Sequence, residues 1–212
     1  MFELDGINVL KHSSIKIKKE KIIYIDPYQI DIPAHDADLI LCTHSHYDHF
    51  SPDDIKAVAK EDTVLITTED CQSEISKTGI FEENVHYCKP YESFNFEGII
   101  IETIPAYNKN KEYHPKDKEW VGYLIDIDNI RYYIAGDTDK TKEACAVKCD
   151  VAFLPVGGTY TMNYVEAADL ARKISPKYVI PTHYGLIVGE PEDGILFKEL
   201  IDSSNTKCEI YY

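Results

Sequence analysis

Apolar and polar positions divide the chain into short runs almost from end to end. Residues 7–26 hold three of them, INVLKH, SIKIK and KIIYID, where β-branched and polar residues alternate with the two-residue period of half-buried strands. DLILC (38–42) is continuously apolar, as in a strand covered on both faces. SPDDIKAVAKE (51–61) reads as a helix, with Ser51 as N-cap, Pro52 at the first helical position and acids in the first turn. TVLIT (63–67) is a second buried strand, and 69–77 a short helix. NVHYC, SFNFEG and IIIETIPA follow as strands, then a polar loop, then WVGYLIDI and IRYYIA, joined at Asp128-Asn129 as a hairpin. DVAFLP (150–155) is strand-like. Asn163 and Glu166 form a capping-box pattern opening a helix to about Ile174. KYVIPTH is a strand, Asp193 to Asp202 a helix, and KCEIYY a terminal strand.

Strands lead each half and helices follow buried strands, which predicts a mixed α/β fold with helices outside two sheets. No linker or low-complexity tract interrupts the 212 residues, so one domain over 1–212 is expected. Four apolar runs end in an ionisable residue: Asp26, His44, Asp137 and His183. Ligands of α/β folds gather beyond the carboxyl ends of strands, so these four side chains can converge on one pocket.

The densest chemistry lies in Thr43-His44-Ser45-His46-Tyr47-Asp48-His49. A chance H-x-H-x-D-H in a chain of this His and Asp content is on the order of one in a thousand. Imidazole nitrogen and carboxylate oxygen suit zinc and other borderline first-row metals. On extended backbone His44 and His46 point to the same side. Asp48 and His49 lie where the chain turns toward the Ser51 helix, so one segment can serve two adjacent ions.

Composition narrows the partners. Lys plus Arg is 22 against 37 Asp plus Glu, a formal charge of −15. That field repels phosphate backbones and anionic membranes, so neither nucleic acid nor a membrane is expected as partner. A small-molecule substrate is expected, and oligomeric state is not legible. The charged opening of the chain carries no apolar run of signal-peptide length, and a cytoplasmic location is expected. The six cysteines lack paired spacing and are expected to be free thiols. Lys109, Lys111, Lys116 and Lys118 make the loop 107–119 a local cationic spot, a lid or substrate loop or else a solvated hairpin tip. Gly157-Gly158 after a strand either offers backbone N–H groups to an oxyanion or is a plain tight turn.

These motifs resemble the metallo-β-lactamase superfamily, whose signature is T-H-x-H-x-D-H after a buried strand, with a later strand-end Asp and a C-terminal His. Here those are Gly136-Asp137-Thr138-Asp139 and Pro181-Thr182-His183-Tyr184-Gly185. The resemblance implies a four-layer αββα sandwich with the metal site at the edge between the two sheets. His12-Ser13-Ser14, Ile25-Asp26-Pro27 and Pro155 to Met162 resemble the small zinc-dependent branch related to ascorbate-6-phosphate lactonase. By this resemblance His44 and His46 bind a first metal, Asp48, His49 and His183 a second, and Asp137 bridges. Asp26 would hold a ligand imidazole. The ions would be one or two Zn²⁺, with Mn²⁺ or Fe²⁺ as alternatives. The family places another first-metal histidine where this chain has Tyr107. His114 is the nearest replacement, and is read as ligand, as substrate-facing group or as loop histidine. His12, at a strand end, is read as facing the site.

The resemblance implies a metal-dependent hydrolase acting through hydroxide on an ester, lactone or phosphoester; the 212-residue length points to a small substrate, and the lysines of the 107–119 loop beside a metal centre to an anionic one. Asp48 would orient the nucleophile or shuttle its proton, and Lys116 with the Gly157-Gly158 backbone would bind the anion. The rival readings are a non-catalytic metal-binding or regulatory protein and an oxidoreductase on the same scaffold. Diiron electron-transfer relatives generally show Glu where His46 stands, which weighs against the last.

Overall fold

The computed structural model describes residues 4–201 and 205–212 and divides into two compact units. The first comprises the described residues up to Cys88, together with Tyr211–Tyr212; the second is Lys89–Ile210.

The first unit holds a six-stranded sheet whose spatial order follows the sequence. It contains β1 (Ile7–Lys11), β2 (Ser14–Lys18), β3 (Ile22–Ile25), β4 (Ala37–Leu41), β5 (Ala59–Thr68) and β6 (Val85–Cys88). β1 to β3 pair antiparallel through tight turns, and β3 to β6 are parallel. The parallel part needs crossovers, which helices α1 (Pro52–Val58) and α2 (Ile75–Thr78) help supply. Ile55 and Val58 of α1 pack with Tyr24, Ile40 and Leu65 of the sheet. β4 is buried almost throughout, as its continuous apolar run predicts.

The second unit holds a seven-stranded sheet in the order β13-β12-β11-β10-β9-β8-β7. Its strands are β7 (Ser93–Phe96), β8 (Ile99–Pro105), β9 (Val121–Ile127), β10 (Ile130–Ile134), β11 (Val151–Pro155), β12 (Tyr178–Thr182) and β13 (Lys207–Cys208). An antiparallel meander again leads into parallel strands. The β9–β10 turn has Asp128 and Asn129 both at positive φ, the requirement of a type I′ hairpin. Helix α3 (Tyr164–Ile174) opens on the expected capping box, and α4 (Asp193–Ile201) follows β12. Leu154, Ala167, Leu170, Val179 and Phe197 share its core.

Three boundaries differ from the sequence reading. The first helix ends at Val58, because Ala59 already pairs with Ala37 in the sheet. The register then jumps to Leu39 opposite Val64, which leaves Lys60–Asp62 in a bulge. The hydroxyl of Thr63 pins that bulge by donating to the Ala37 carbonyl at 2.6 Å. Segment 69–77 is a 3₁₀ turn (Glu69–Glu74) running into α2. KCEIYY is a strand only at Lys207–Cys208, since Tyr211–Tyr212 join the first unit, where the Tyr212 hydroxyl donates to the His12 carbonyl at 2.8 Å. Asp202 lies outside the described residues. Among those described, no helix is long and apolar enough to cross a membrane.

Candidate metal centre

In the first unit β3 and β4 are parallel neighbours, so the residues beyond their ends meet. Asp26 follows β3 at positive φ and is fully buried. Its Oδ1 accepts from the Thr43 backbone N–H at 2.8 Å, and its Oδ2 from the Thr43 hydroxyl at 2.8 Å. The same Oδ2 lies 2.7 Å from His49 Nδ1. Burial pushes the Asp26 carboxyl up from its ordinary value, against the pull of the His49 ring and the Thr43 donors. The hydroxyl of Thr43, having given its proton to Asp26, can accept at 2.9 Å from His44 Nδ1. Both rings are thereby held as Nδ1–H tautomers, and their Nε2 lone pairs are the ends left to bind.

Those Nε2 ends have suitable neighbours. His44 Nε2 is 3.1 Å from His46 Nδ1. His49 Nε2 is 3.4 Å from Asp48 Oδ2, which is also 3.3 Å from His12 Nε2. Two donors each 2.0–2.2 Å from one tetrahedral ion lie roughly 3.3–3.5 Å apart. The two separations to Asp48 Oδ2 therefore match the edge of a coordination shell, and the His44–His46 one falls slightly short of it.

The second unit carries a matching group. Asp137 comes shortly after β10, and His183 directly after β12 at positive φ. One carboxylate oxygen, Asp137 Oδ2, lies 3.0 Å from His183 Nε2 and 3.1 Å from His114 Nε2. All three side chains are buried. His114 Nδ1 is 3.0 Å from Asn108 Oδ1 and 3.1 Å from the Tyr160 carbonyl, both acceptors. The proton accordingly sits on Nδ1, and Nε2 turns a lone pair toward a carboxylate. Two such groups repel unless a positive charge lies between them. The donor set fits a cation.

One sequence expectation, anion binding by Lys116, is corrected here, and the open readings of Tyr107, His114 and Gly157-Gly158 gain definite contacts. The phenol of Tyr107, where the resemblance led to an expected histidine, donates to Glu143 Oε2 at 2.8 Å. Of the three readings of His114, the structure brings it against Asp137. Lys116 is not a free anion-binding cation: its Nζ lies 3.2 Å from Glu143 Oε1 and 3.4 Å from the Tyr107 hydroxyl. Lys111 likewise donates to Asp139 Oδ1 at 2.5 Å and to the Thr161 carbonyl at 2.6 Å. Two of the four loop lysines are thus offset by carboxylates. The Gly158 N–H donates to the Met162 carbonyl at 3.0 Å, so it belongs to a turn and not to an oxyanion hole. Gly157 is required for another reason, because a Cβ there would lie 2.2 Å from the His183 carbonyl oxygen.

The sequence reading gave no role to Thr43, Asn108, Asp139 or Glu143. Thr43 and Asp139 stood inside the motifs and were open to notice as hydrogen-bonding neighbours of candidate ligands. Asn108 and Glu143 carried no comparable signal.

The sequence pattern of the family described as β-lactamase superfamily domain matches residues 6–183. A metal-dependent hydrolase of Thermococcus onnurineus is 30% identical, over 92% of this chain and 91% of its own. One of Lysinibacillus sphaericus is 30% identical over 92% of each. The crystal structure of a candidate metal-dependent hydrolase from Parabacteroides distasonis superposes with a TM-score of 0.83 and 34% identity, covering 96% of this chain and 91% of that one. With two mixed sheets, their helices and these motifs in place, the chain belongs to the metallo-β-lactamase superfamily and has its fold.

Proposed function

We propose that this protein is a metal-dependent hydrolase of small esters, lactones or phosphoesters. One observation carries the reading: Asp137 Oδ2 stands between the Nε2 atoms of His114 and His183, at 3.1 and 3.0 Å. A carboxylate flanked by two imidazole nitrogens suits a bridge between two ions. In this reading His44, His46 and His114 serve one ion, Asp48, His49 and His183 the other, and Asp137 both. All but His114 follow from the family resemblance. His114 takes the place left by Tyr107, whose phenol is engaged by Glu143. Zinc suits this nitrogen and oxygen set, and Mn²⁺ or Fe²⁺ are the alternatives.

Bound metal would supply Lewis acidity and bring the pKa of water toward neutrality. The chain's own residues do the rest. Asp26 and Thr43 fix the tautomers of His49 and His44, and Asp48 accepts or returns a proton beside His12 and His49. The resemblance to the ascorbate-6-phosphate lactonase branch favours lactone ring-opening. Attraction of an anionic substrate would rest on the ions themselves, since Lys111 and Lys116 are paired. Lys116, Gly157 and Gly158 then act as scaffold.

The test combines elemental analysis of purified protein with a panel of lactones, esters and phosphodiesters, before and after chelation. Chelation is expected to abolish turnover and lower the melting temperature, because an ion bound only by the folded form stabilises it. Zn²⁺ or Mn²⁺ is expected to restore both. Metal binding without turnover of any substrate would favour a binding or regulatory protein. An unchanged melting curve after exhaustive chelation would remove the metal reading altogether.

A further inference from the structure

Asn108 sits one residue after Tyr107 and is buried. Its two ends face different chemistry. The Nδ2 amide donates to Asp139 Oδ1 at 3.2 Å and to the Tyr160 carbonyl at 3.0 Å. Both partners are pure acceptors, so the nitrogen must be on that side. The Oδ1 end then falls to His114, where it accepts from the backbone N–H at 3.2 Å and from Nδ1 at 3.0 Å. One amide therefore grips both the main chain and the ring of His114.

The amide is itself clamped. Asp139 Oδ1 also accepts from Lys111 Nζ at 2.5 Å, and Asp139 Oδ2 from the Lys109 backbone N–H at 2.8 Å. Flipping Asn108 would set its carbonyl against the Asp139 carboxylate and the Tyr160 carbonyl, and its amide against two N–H donors. Each flipped contact is a buried mismatch, and such mismatches cost more than the bonds they replace. The order Lys111, Asp139, Asn108, His114 thus ends on an imidazole whose Nε2 is aimed at Asp137.

We infer that Asn108 is a positioning residue, locked by Asp139, that orients His114 to hold a metal ion with Asp137. The inference rests on the reading of His114 as a ligand. It accounts for how a histidine from a long polar loop can stand in for one the family carries at a strand end. A ligand on a loop binds weakly unless a neighbour fixes it, and buried hydrogen bonds to the non-ligating nitrogen do this in metal sites generally.

The experiment is a Co²⁺ titration of the metal-stripped full-length protein, followed by the visible bands of bound cobalt, for wild type, Asn108→Ala, His114→Ala and the double variant. Asn108→Ala is expected to weaken one of two ions about 10- to 100-fold, the usual size of such effects. It should add nothing in the His114→Ala background. Asn108→Asp, which would set a second carboxylate against Asp139 and the Tyr160 carbonyl, should lose the clamp and weaken the same ion as Asn108→Ala does. If Asn108→Ala does not fold, Asp139→Ala releases the clamp and is expected to weaken the same ion. Wild-type affinity for both ions in Asn108→Ala overturns the inference while leaving His114 as a ligand. An equal loss in the presence and absence of His114 also overturns it, since the effect would then be general. If His114→Ala itself leaves both ions bound normally, the ligand reading fails and this inference falls with it.

Discussion

His49 Nδ1 lies 2.7 Å from Asp26 Oδ2, across 23 residues of sequence. The bond determines which nitrogen of the ring can meet a cation. Asp26→Asn tests it. The new amide oxygen can still accept from the Thr43 N–H, which leaves the NH₂ facing His49 Nδ1. That arrangement favours a proton on Nε2, the atom 3.4 Å from Asp48. Zn²⁺ affinity is expected to fall about 10- to 100-fold. Asp26→Ala should also cost folding stability, about 1–3 kcal/mol for each buried donor it leaves without an acceptor, by urea unfolding of the metal-free protein, since the Thr43 N–H and the His49 Nδ1–H both lose their partner. Wild-type Zn²⁺ affinity in Asp26→Asn would show that the carboxylate does not orient the ring.

What could be read from the sequence was local or densely coded. The H-x-H-x-D-H segment packs four ligand-competent residues into six positions, and the Asn163–Glu166 box needs only four residues to close. Long-range competition was not legible. Ala59 to Asp62 has a helix-friendly composition, yet pairing with Ala37 and the Thr63 hydroxyl draws it into the sheet. Tyr107 and Glu143 are 36 residues apart, and nothing in either segment announces their bond. Lys116 looked cationic for the same reason: the carboxylate that offsets it is 27 residues away.

The Glu143 cluster makes a prediction about acid stability. Burial alone would raise this carboxyl, but the Tyr107 hydroxyl, a backbone N–H and Lys116 together hold it below its ordinary value of 4.5. A carboxyl depressed in the folded state stabilises fully above the unfolded pKa and loses that contribution as pH falls through the folded one. Melting temperatures of wild type and Glu143→Gln should therefore differ most near neutrality. The gap should close below about pH 4 as the wild-type carboxyl takes up its proton. A gap that persists or widens on acidification would contradict the pairing.

All six cysteines are free thiols in the structure. Burial pushes Cys71 and Cys149 up to about 12 and Cys42 well above its usual range. Since the thiolate is the reactive form, these three should alkylate far more slowly in the native protein at about pH 8 than an unfolded thiol. Mass spectrometry after pulse alkylation can follow each site. Unfolding should release all six. Recovery of fewer than six under denaturing conditions would mean a disulfide that the structure does not contain.

Neighbouring glycines 157 and 158 are expected to separate stability from metal affinity. A Cβ on Gly157 would meet the His183 carbonyl at 2.2 Å and Val188 Cγ1 at 3.1 Å. The valine can rotate, but the carbonyl belongs to the backbone that carries His183, so Gly157→Ala must move that residue. Overpacking of this kind costs about 1–3 kcal/mol, and the displaced ring should also bind Zn²⁺ more weakly. Gly158 is at positive φ, where a side chain strains the backbone, yet its Cβ would come no closer than 3.7 Å to Asn163. Gly158→Ala should thus lose about 1–2 kcal/mol through strain alone, with Zn²⁺ affinity kept. Urea unfolding and Zn²⁺ titration of both variants decide the matter. If the two lose affinity equally, or neither does, the close approach of residue 157 to the His183 carbonyl is not what positions the imidazole.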